Sequence, residues 1–416
     1  MPFSSPRAAR RALLGVDLTA AGARPGAHGA LGAVAARAFD GERLARLAHR
    51  ADRGLLDLVV LGDALLLHPG RGRVPGRLDA AVAAARVAPL VRTAALVAGV
   101  PHDQVEPGHL AGAVRGVQGA AGGPAGWQLS GPAAPGGVGA AHAGALAPVD
   151  PAAERAWADG AAAALDAVLA AWDAGEPGAV RRGGDGRFRV DHDGIRFAVR
   201  GRAAIRGADL AGAGPASPAD RPLVVVPVAG PAAEALAGRY ADVARVTAPD
   251  LHAAAAARAR VRAAAVAAGR PADAVRVLLD VDVALADDRE AALARLDLVR
   301  AVDRPDLGDA GAVVAGTGAD LATVLADAVR DGAVDGFVVR PTSVEADLAA
   351  VVERTVPALQ QAGAFRLRPG DGDEPADRAD PGDRPAGPVS TRAAAPRRAR
   401  VVPTEGPWSA APFALT

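Results

Sequence analysis

Short apolar runs alternate along the chain with longer stretches in which apolar residues recur every third or fourth position. Residues 13–18 read as a buried strand. Residues 42–53 read as an amphipathic helix, with Leu44, Leu47, Ala48 and Ala51 on one face and Arg or His on the other; Gly54 stops it. Leu56-Asp57-Leu58-Val59-Val60-Leu61 follows as a buried strand ending at Gly62-Asp63. The rhythm then repeats. The pattern predicts helix 79–91 before strand 94–98, helix 110–119 before strand 126–129, and helix 151–172 before strand 223–226. It continues with helix 232–239 before strand 243–246 and helix 251–268 before strand 275–285; helices from Asp287 and from Leu321 then precede strand 334–339. Eight strands alternating with helices is the rhythm of a (β/α)8 TIM barrel. A doubly wound open sheet gives the same local alternation, and eight units in about 350 residues favour the barrel.

Two segments break the rhythm. Residues 187–199 alternate with period two around Asp193-Gly194, which predicts a β-hairpin. It falls in an insertion, about 174–221, between the fourth helix and the fifth strand, long enough for a lid or a substrate wall. From about Pro369 the chain is rich in Pro, Gly, Asp and Arg and is expected to be disordered. The expected organisation is a barrel domain over 1–368 and a tail over 369–416.

Composition narrows the chemistry. Half of the residues are apolar and 3% aromatic, so the core must be built from Ala, Val and Leu. Lys and Asn are absent and Ile is rare, the mark of GC-rich codon usage. Forty-seven basic residues balance 47 acidic ones, so no basic field exists for nucleic acid or an anionic membrane. The absence of Cys excludes disulfides, thiolate metal sites and Cys nucleophiles. Asp17 interrupts the apolar run after Arg10-Arg11, and no run approaches eighteen uncharged apolar residues, so a cytoplasmic protein is expected.

Four stretches carry a resemblance. Gly316-Thr317-Gly318-Ala319-Asp320-Leu321 through Asp335-Gly336-Phe337-Val338-Val339-Arg340-Pro341 is similar to the last β/α unit of the bacterial luciferase-like flavin-dependent monooxygenases. The branch it resembles contains the nitrilotriacetate and dibenzothiophene-sulfone monooxygenases. Residues 106–128 keep that family's register, with Gly126-Trp127-Gln128 where the family has Gly-Trp-Asn. His192-Asp193-Gly194 with Phe197, then Pro222-Leu223-Val224-Val225-Val226, resembles its hairpin and Pro-opened fifth strand. Gly62-Asp63 matches a small residue plus Asp beside the flavin.

The resemblance implies a barrel over residues 13–365 that binds reduced FMN from a separate flavin reductase and uses O2 to oxygenate a small organic substrate. It implies Asp63 and Gln128 flanking the ring, Ser130 nearby, and the Ala229-Gly230 turn at the phosphate, where a helix N-terminus offers free N–H groups. It also implies association through barrel helices, in homo- or hetero-oligomers. The family's pattern is incompletely kept. The serines of the phosphate turn are missing, Pro231 removes a donor, and the Arg-Tyr pair of the preceding helix is replaced around Arg155-Ala156-Trp157. The flavin site therefore reads as degenerate. A cofactor-free barrel paralogue or partner subunit, or a deazaflavin-dependent oxidoreductase, are the alternatives.

Other constellations are weaker. His109 is the histidine nearest the family's active-site loop and is the candidate general acid or base. Glu106-Pro107-Gly108-His109 has Glu-x-x-His spacing, but Pro-Gly argues against the helix that would align two metal ligands, and no metal is expected. Trp127 is expected as a core aromatic. Asp280 and Asp282 share one face of the seventh strand, where an internal ion pair with an Arg is the commoner reason for such a pair.

Overall fold

Alternate residues of each apolar run point to opposite faces, and in this chain both faces are buried. A computed structural model describes residues 11–19, 40–62, 79–121, 123–131, 150–173, 180–182, 188–192, 195–199, 221–302 and 311–369. The strands among them are β1 (Leu13–Asp17), β2 (Leu58–Gly62), β3 (Ala95–Gly99), β4 (Ala125–Gln128), β5 (Val180–Arg182) and β6 (Phe188–His192). They continue with β7 (Ile195–Val199), β8 (Leu223–Val228), β9 (Val243–Val246), β10 (Arg276–Leu285), β11 (Ala312–Gly316) and β12 (Gly336–Pro341). The helices are α1 (Gly41–Arg53), α2 (Ala80–Val87), α3 (Pro107–Ala120), α4 (Pro151–Asp173), α5 (Pro231–Tyr240), α6 (Leu251–Ala267), α7 (Arg289–Val302), α8 (Gly318–Arg330), α9 (Val344–Ala350) and α10 (Val356–Gln361).

β1, β2, β3, β4, β8, β9, β10 and β12 pair in that order, all parallel, and β12 returns to β1. The result is a closed eight-stranded barrel of the TIM type, and its strands are the eight read from the sequence. Leu58, Val60, Ala95, Val97, Val225, Val243, Leu278 and Val338 fill the interior. Their neighbours Val59, Leu61, Leu96, Val224 and Leu279 face outward into the larger core under the helices. Trp127 is fully buried in that outer core and donates Nε1–H to the Val100 carbonyl at 2.9 Å.

The pattern missed two of the described strands, β5 and β11. β11 pairs with β10 only over Val281–Leu285, past the point where β9 stops at Leu279, and so adds a ninth strand outside the ring. Its residues are mostly half-buried, so its apolar signal is short and weak. Within the expected insertion only strand backbones are described: β6 pairs antiparallel with β5 and with β7. The rest of residues 174–220 and the tail beyond residue 369 lie outside the described residues.

The start of α3 also departs from the sequence reading. Pro107 and Gly108 are inside the helix, because Pro is suited to a first helical position where no N–H is required. Glu106 is its N-cap and accepts from the Gly108 and His109 amides at 3.0 and 2.8 Å. The Glu-x-x-His spacing therefore builds a cap.

The N-terminal end of the barrel is closed by a repeated device. Asp57, Asp242 and Asp335 each directly precede a strand. Their carboxylates accept from Leu14 N at 2.7 Å, Val224 N at 2.8 Å and Val277 N at 2.9 Å. Their own amides donate to the carbonyls of the same three residues. Each Asp thus pins the first residues of the neighbouring strand on both hydrogen-bonding sides. Conserving barrel geometry at this end serves stability, since function gathers at the opposite face.

Close packing at this end makes Gly336 irreplaceable. A Cβ there would lie 2.0 Å from the Leu13 carbonyl oxygen and 2.7 Å from Leu13 backbone carbon and nitrogen. Backbone cannot yield as a side-chain tip can, so Gly336→Ala is expected to destabilise by about 3 kcal/mol. Gly41→Ala, with nothing within 4 Å, is the neutral control. Thermal unfolding of both variants decides it; equal melting temperatures would refute the packing argument.

Candidate functional site

The C-terminal ends of the barrel strands carry a buried charged cluster. β9 is Val-Ala-Arg-Val, and the alternation that puts Val243 inside puts Arg245 inside as well. Its Nε and Nη2 grip the Asp280 carboxylate at 2.9 and 3.0 Å, the two-point geometry that suits a guanidinium. Nη2 also reaches Asp17 at the end of β1, at 3.0 Å, and Nη1 donates to Gln128 Oε1 at the end of β4, at 2.7 Å. Four strands are thereby tied through one side chain. Burial alone would push the Arg245 pKa down, but the charges and bonds of Asp280 and Asp17 outweigh it and hold the pKa above its ordinary value. One layer above, Arg340 of β12 pairs with Asp282 of β10 at 3.2 Å. Both carboxylates of the Asp280/Asp282 pair thus meet an arginine, as the spacing predicts.

Asp17 also accepts from Thr19 N at 3.0 Å, and Thr19 Oγ1 accepts from Gly62 N at 2.7 Å. The end of β2 is fixed in this way. Asp63, the next residue, lies outside the described residues.

A second cluster surrounds the first turn of α4. Trp157 Nε1 donates to the Ser130 carbonyl at 2.9 Å, and the His102 ring stands edge-on to Trp157 with centroids 6.1 Å apart. His102 Nδ1 is buried without a partner among the described residues, and burial holds the ring's pKa below its ordinary value. One turn earlier, Glu154 is 6% exposed and accepts from Ala233 N in the first turn of α5 at 3.0 Å.

The sequence candidates are distributed as follows. Gln128 and Ser130 stand two residues apart at the top of β4. Gln128 is bound into the Arg245 cluster through its oxygen, which leaves its NH2 to offer. Ala229 and Gly230 form the turn into α5, with Gly230 as N-cap. His109 is exposed in the first turn of α3, and no hydrogen bond among the described residues ties it to the others. The sequence reading passed over Arg245, Asp17, Thr19, Glu154 and His102. Arg245 carried a usable signal, a charged residue inside an otherwise apolar strand. Asp17 was read only as a break in an apolar run, and the others carried no signal that sets them apart from ordinary solvated positions.

A flavin phosphate does not fit at the α5 N-terminus as it stands. Pro231 has no N–H, the Ala233 amide is taken by Glu154, and a buried carboxylate stands where a dianion would sit. Among the described residues no group of three or more His, Cys, Asp or Glu could hold a metal ion. None of the described helices is long and apolar enough to cross a membrane.

No protein-family model matches the chain, and no curated protein matches it. Solved structures do. The chain is similar to a riboflavin lyase with modified FMN and substrate riboflavin, at 18% identity and TM-score 0.63, over 86% of this chain and 93% of that one. It is similar to EDTA monooxygenase from Chelativorans sp. BNC1, at 23% identity and TM-score 0.62, over 86% and 95%. An F420-dependent secondary alcohol dehydrogenase matches at 12% identity and TM-score 0.55, over 84% and 99%. At these identities the likeness is one of fold.

Proposed function

We propose that this chain is an oxidoreductase of the luciferase-like type, working at the C-terminal mouth of its barrel on a small organic substrate. The observation that carries the reading is the closed barrel itself, similar over most of its length to enzymes of flavin and F420 chemistry. The group such a fold calls for is a flavin or deazaflavin, which when bound supplies electrons to oxygen or to substrate. In the monooxygenase form it would arrive as reduced FMN from a partner reductase. From this chain the mouth offers the Gln128 amide NH2 toward a ring edge. Arg245 contributes a fixed positive charge, locked by two carboxylates so that it does not move toward a ligand. The reading rests on the ring end of the ligand and not on its phosphate. A second reading, a barrel that has lost its cofactor and serves as a partner subunit, is favoured by the Glu154 contact.

Titration of the purified chain with oxidised and reduced FMN, with F420 and with riboflavin, read by fluorescence, separates the readings. Binding at about micromolar levels that weakens at least about tenfold in Gln128→Ala supports the oxidoreductase. Absence of binding to FMN, to F420 and to riboflavin at hundreds of micromolar, roughly the −5 kcal/mol range, leaves the cofactor-free barrel.

A further inference from the structure

Gly230 and Glu154 are fitted to each other. A Cβ on Gly230 would lie 2.7 and 2.8 Å from the two Glu154 carboxylate oxygens, so a side chain there would push the carboxylate from this position. The φ of Gly230 is −172°, ordinary extended backbone, so it is the carboxylate's position and not conformation that a side chain would disturb here. The carboxylate in turn accepts from Ala233 N and stands against the positive end of a ten-residue helix. Gly230 has no side chain to cap that helix, and Glu154 performs the capping from 79 residues away.

We propose that Glu154 is a built-in anion that closes this helix end to phosphate, so that the mouth selects the unphosphorylated, riboflavin-type ligand over FMN. The inference rests on the flavin reading above and refines it. A phosphomonoester brought to the α5 N-terminus meets one amide already spent, one position without N–H, and a fixed negative charge. A ligand ending in a hydroxyl meets no such repulsion.

The test compares riboflavin with FMN by fluorescence titration of the full chain and of Glu154→Gln and Glu154→Ala. Gln keeps the shape and one acceptor for the Ala233 amide, so it guards against a folding defect in the alanine variant. Wild type is expected to bind riboflavin at least as tightly as FMN. Both variants should gain about tenfold in FMN affinity while riboflavin affinity stays within about threefold. FMN preferred tenfold by wild type, or an FMN-to-riboflavin ratio unmoved by both variants, overturns the inference. If wild type binds neither flavin, the flavin form of the oxidoreductase reading fails, and inorganic phosphate then tests the plug alone. Phosphate should raise the melting temperature of Glu154→Ala but not that of wild type, and an equal response overturns it.

Discussion

Replacing Arg245 by methionine is expected to lower the stability of the barrel by about 3–5 kcal/mol, the usual cost of removing one partner from a buried ion cluster. The guanidinium is 6% exposed, and it makes four hydrogen bonds, one of them from Nε–H, to Asp280, Asp17 and Gln128. Methionine fills much of the volume but leaves two carboxylates and an amide oxygen facing an apolar side chain. Equilibrium urea unfolding reads the loss. Arg245→Lys is not expected to rescue, since one ammonium cannot grip Asp280 at two points while reaching β1 and β4. The pair Arg245→Met with Asp280→Leu should be less destabilised than Arg245→Met alone, because it removes one of the two orphaned carboxylates, with Asp17 remaining. A loss under about 1 kcal/mol would mean that water replaces the guanidinium, and that the barrel mouth is open enough to solvate it.

The barrel was legible because parallel strands buried on both faces leave uninterrupted Val, Leu and Ala runs. These runs announce themselves whatever the genome's codon bias. β11 was not legible, since it is half-buried, five residues long and paired along only half of β10. The site was less legible than the fold for a different reason. Arg245 and Asp17 are 228 residues apart in the chain, and only closure of the ring makes them neighbours. Glu154 looks like a routine acidic residue in a helix's first turn; its partner amide belongs to another helix. His109 drew attention by standing beside a recognisable loop, yet it is exposed, while His102 in the same loop region is packed against Trp157.

This asymmetry bears on function. A fold held in common at 12–23% identity fixes where the strand ends gather and says little about what they present. In this chain the strand ends present a carboxylate-locked arginine and a helix N-terminus already bearing an acid. Both are features of the side chains alone, and both limit the ligands that the mouth can take.

At the opposite end of the barrel, Asp335→Ala is expected to cost about 3–5 kcal/mol at pH 7, nearly as much as the loss of Arg245. The carboxylate accepts from Val277 N at 2.9 Å, from Arg258 at 2.8 Å and from Arg262 at 3.0 Å, and it is 11% exposed. Its removal unpins the start of β10 and leaves two half-buried guanidinium groups without their shared anion. The equivalent Asp242 is the natural comparison. There burial dominates and the pKa stands above its ordinary value, because the bond from Val224 N and the charges of Arg221, 3.7 Å away, and Arg270 do not outweigh it. At Asp335 the same burial is outweighed by the bonds from Arg258 and Val277 and by the Arg258 and Arg262 charges, so the pKa is held below its ordinary value. A depressed folded-state pKa contributes stability that is fully present above the unfolded value, about 4, and is lost as pH falls through the folded one. The difference between wild type and Asp335→Asn should therefore be constant from pH 7 to about 5 and shrink below about 4. Asp242→Asn should show the opposite trend, costing less at pH 7 than in acid, because its carboxylate is the strained form in the fold. Urea unfolding midpoints of the two asparagine variants across pH 3–7 would decide the matter. Parallel pH profiles for the two would mean that the arginines, and not the strand amides, have no differential hold on Asp335.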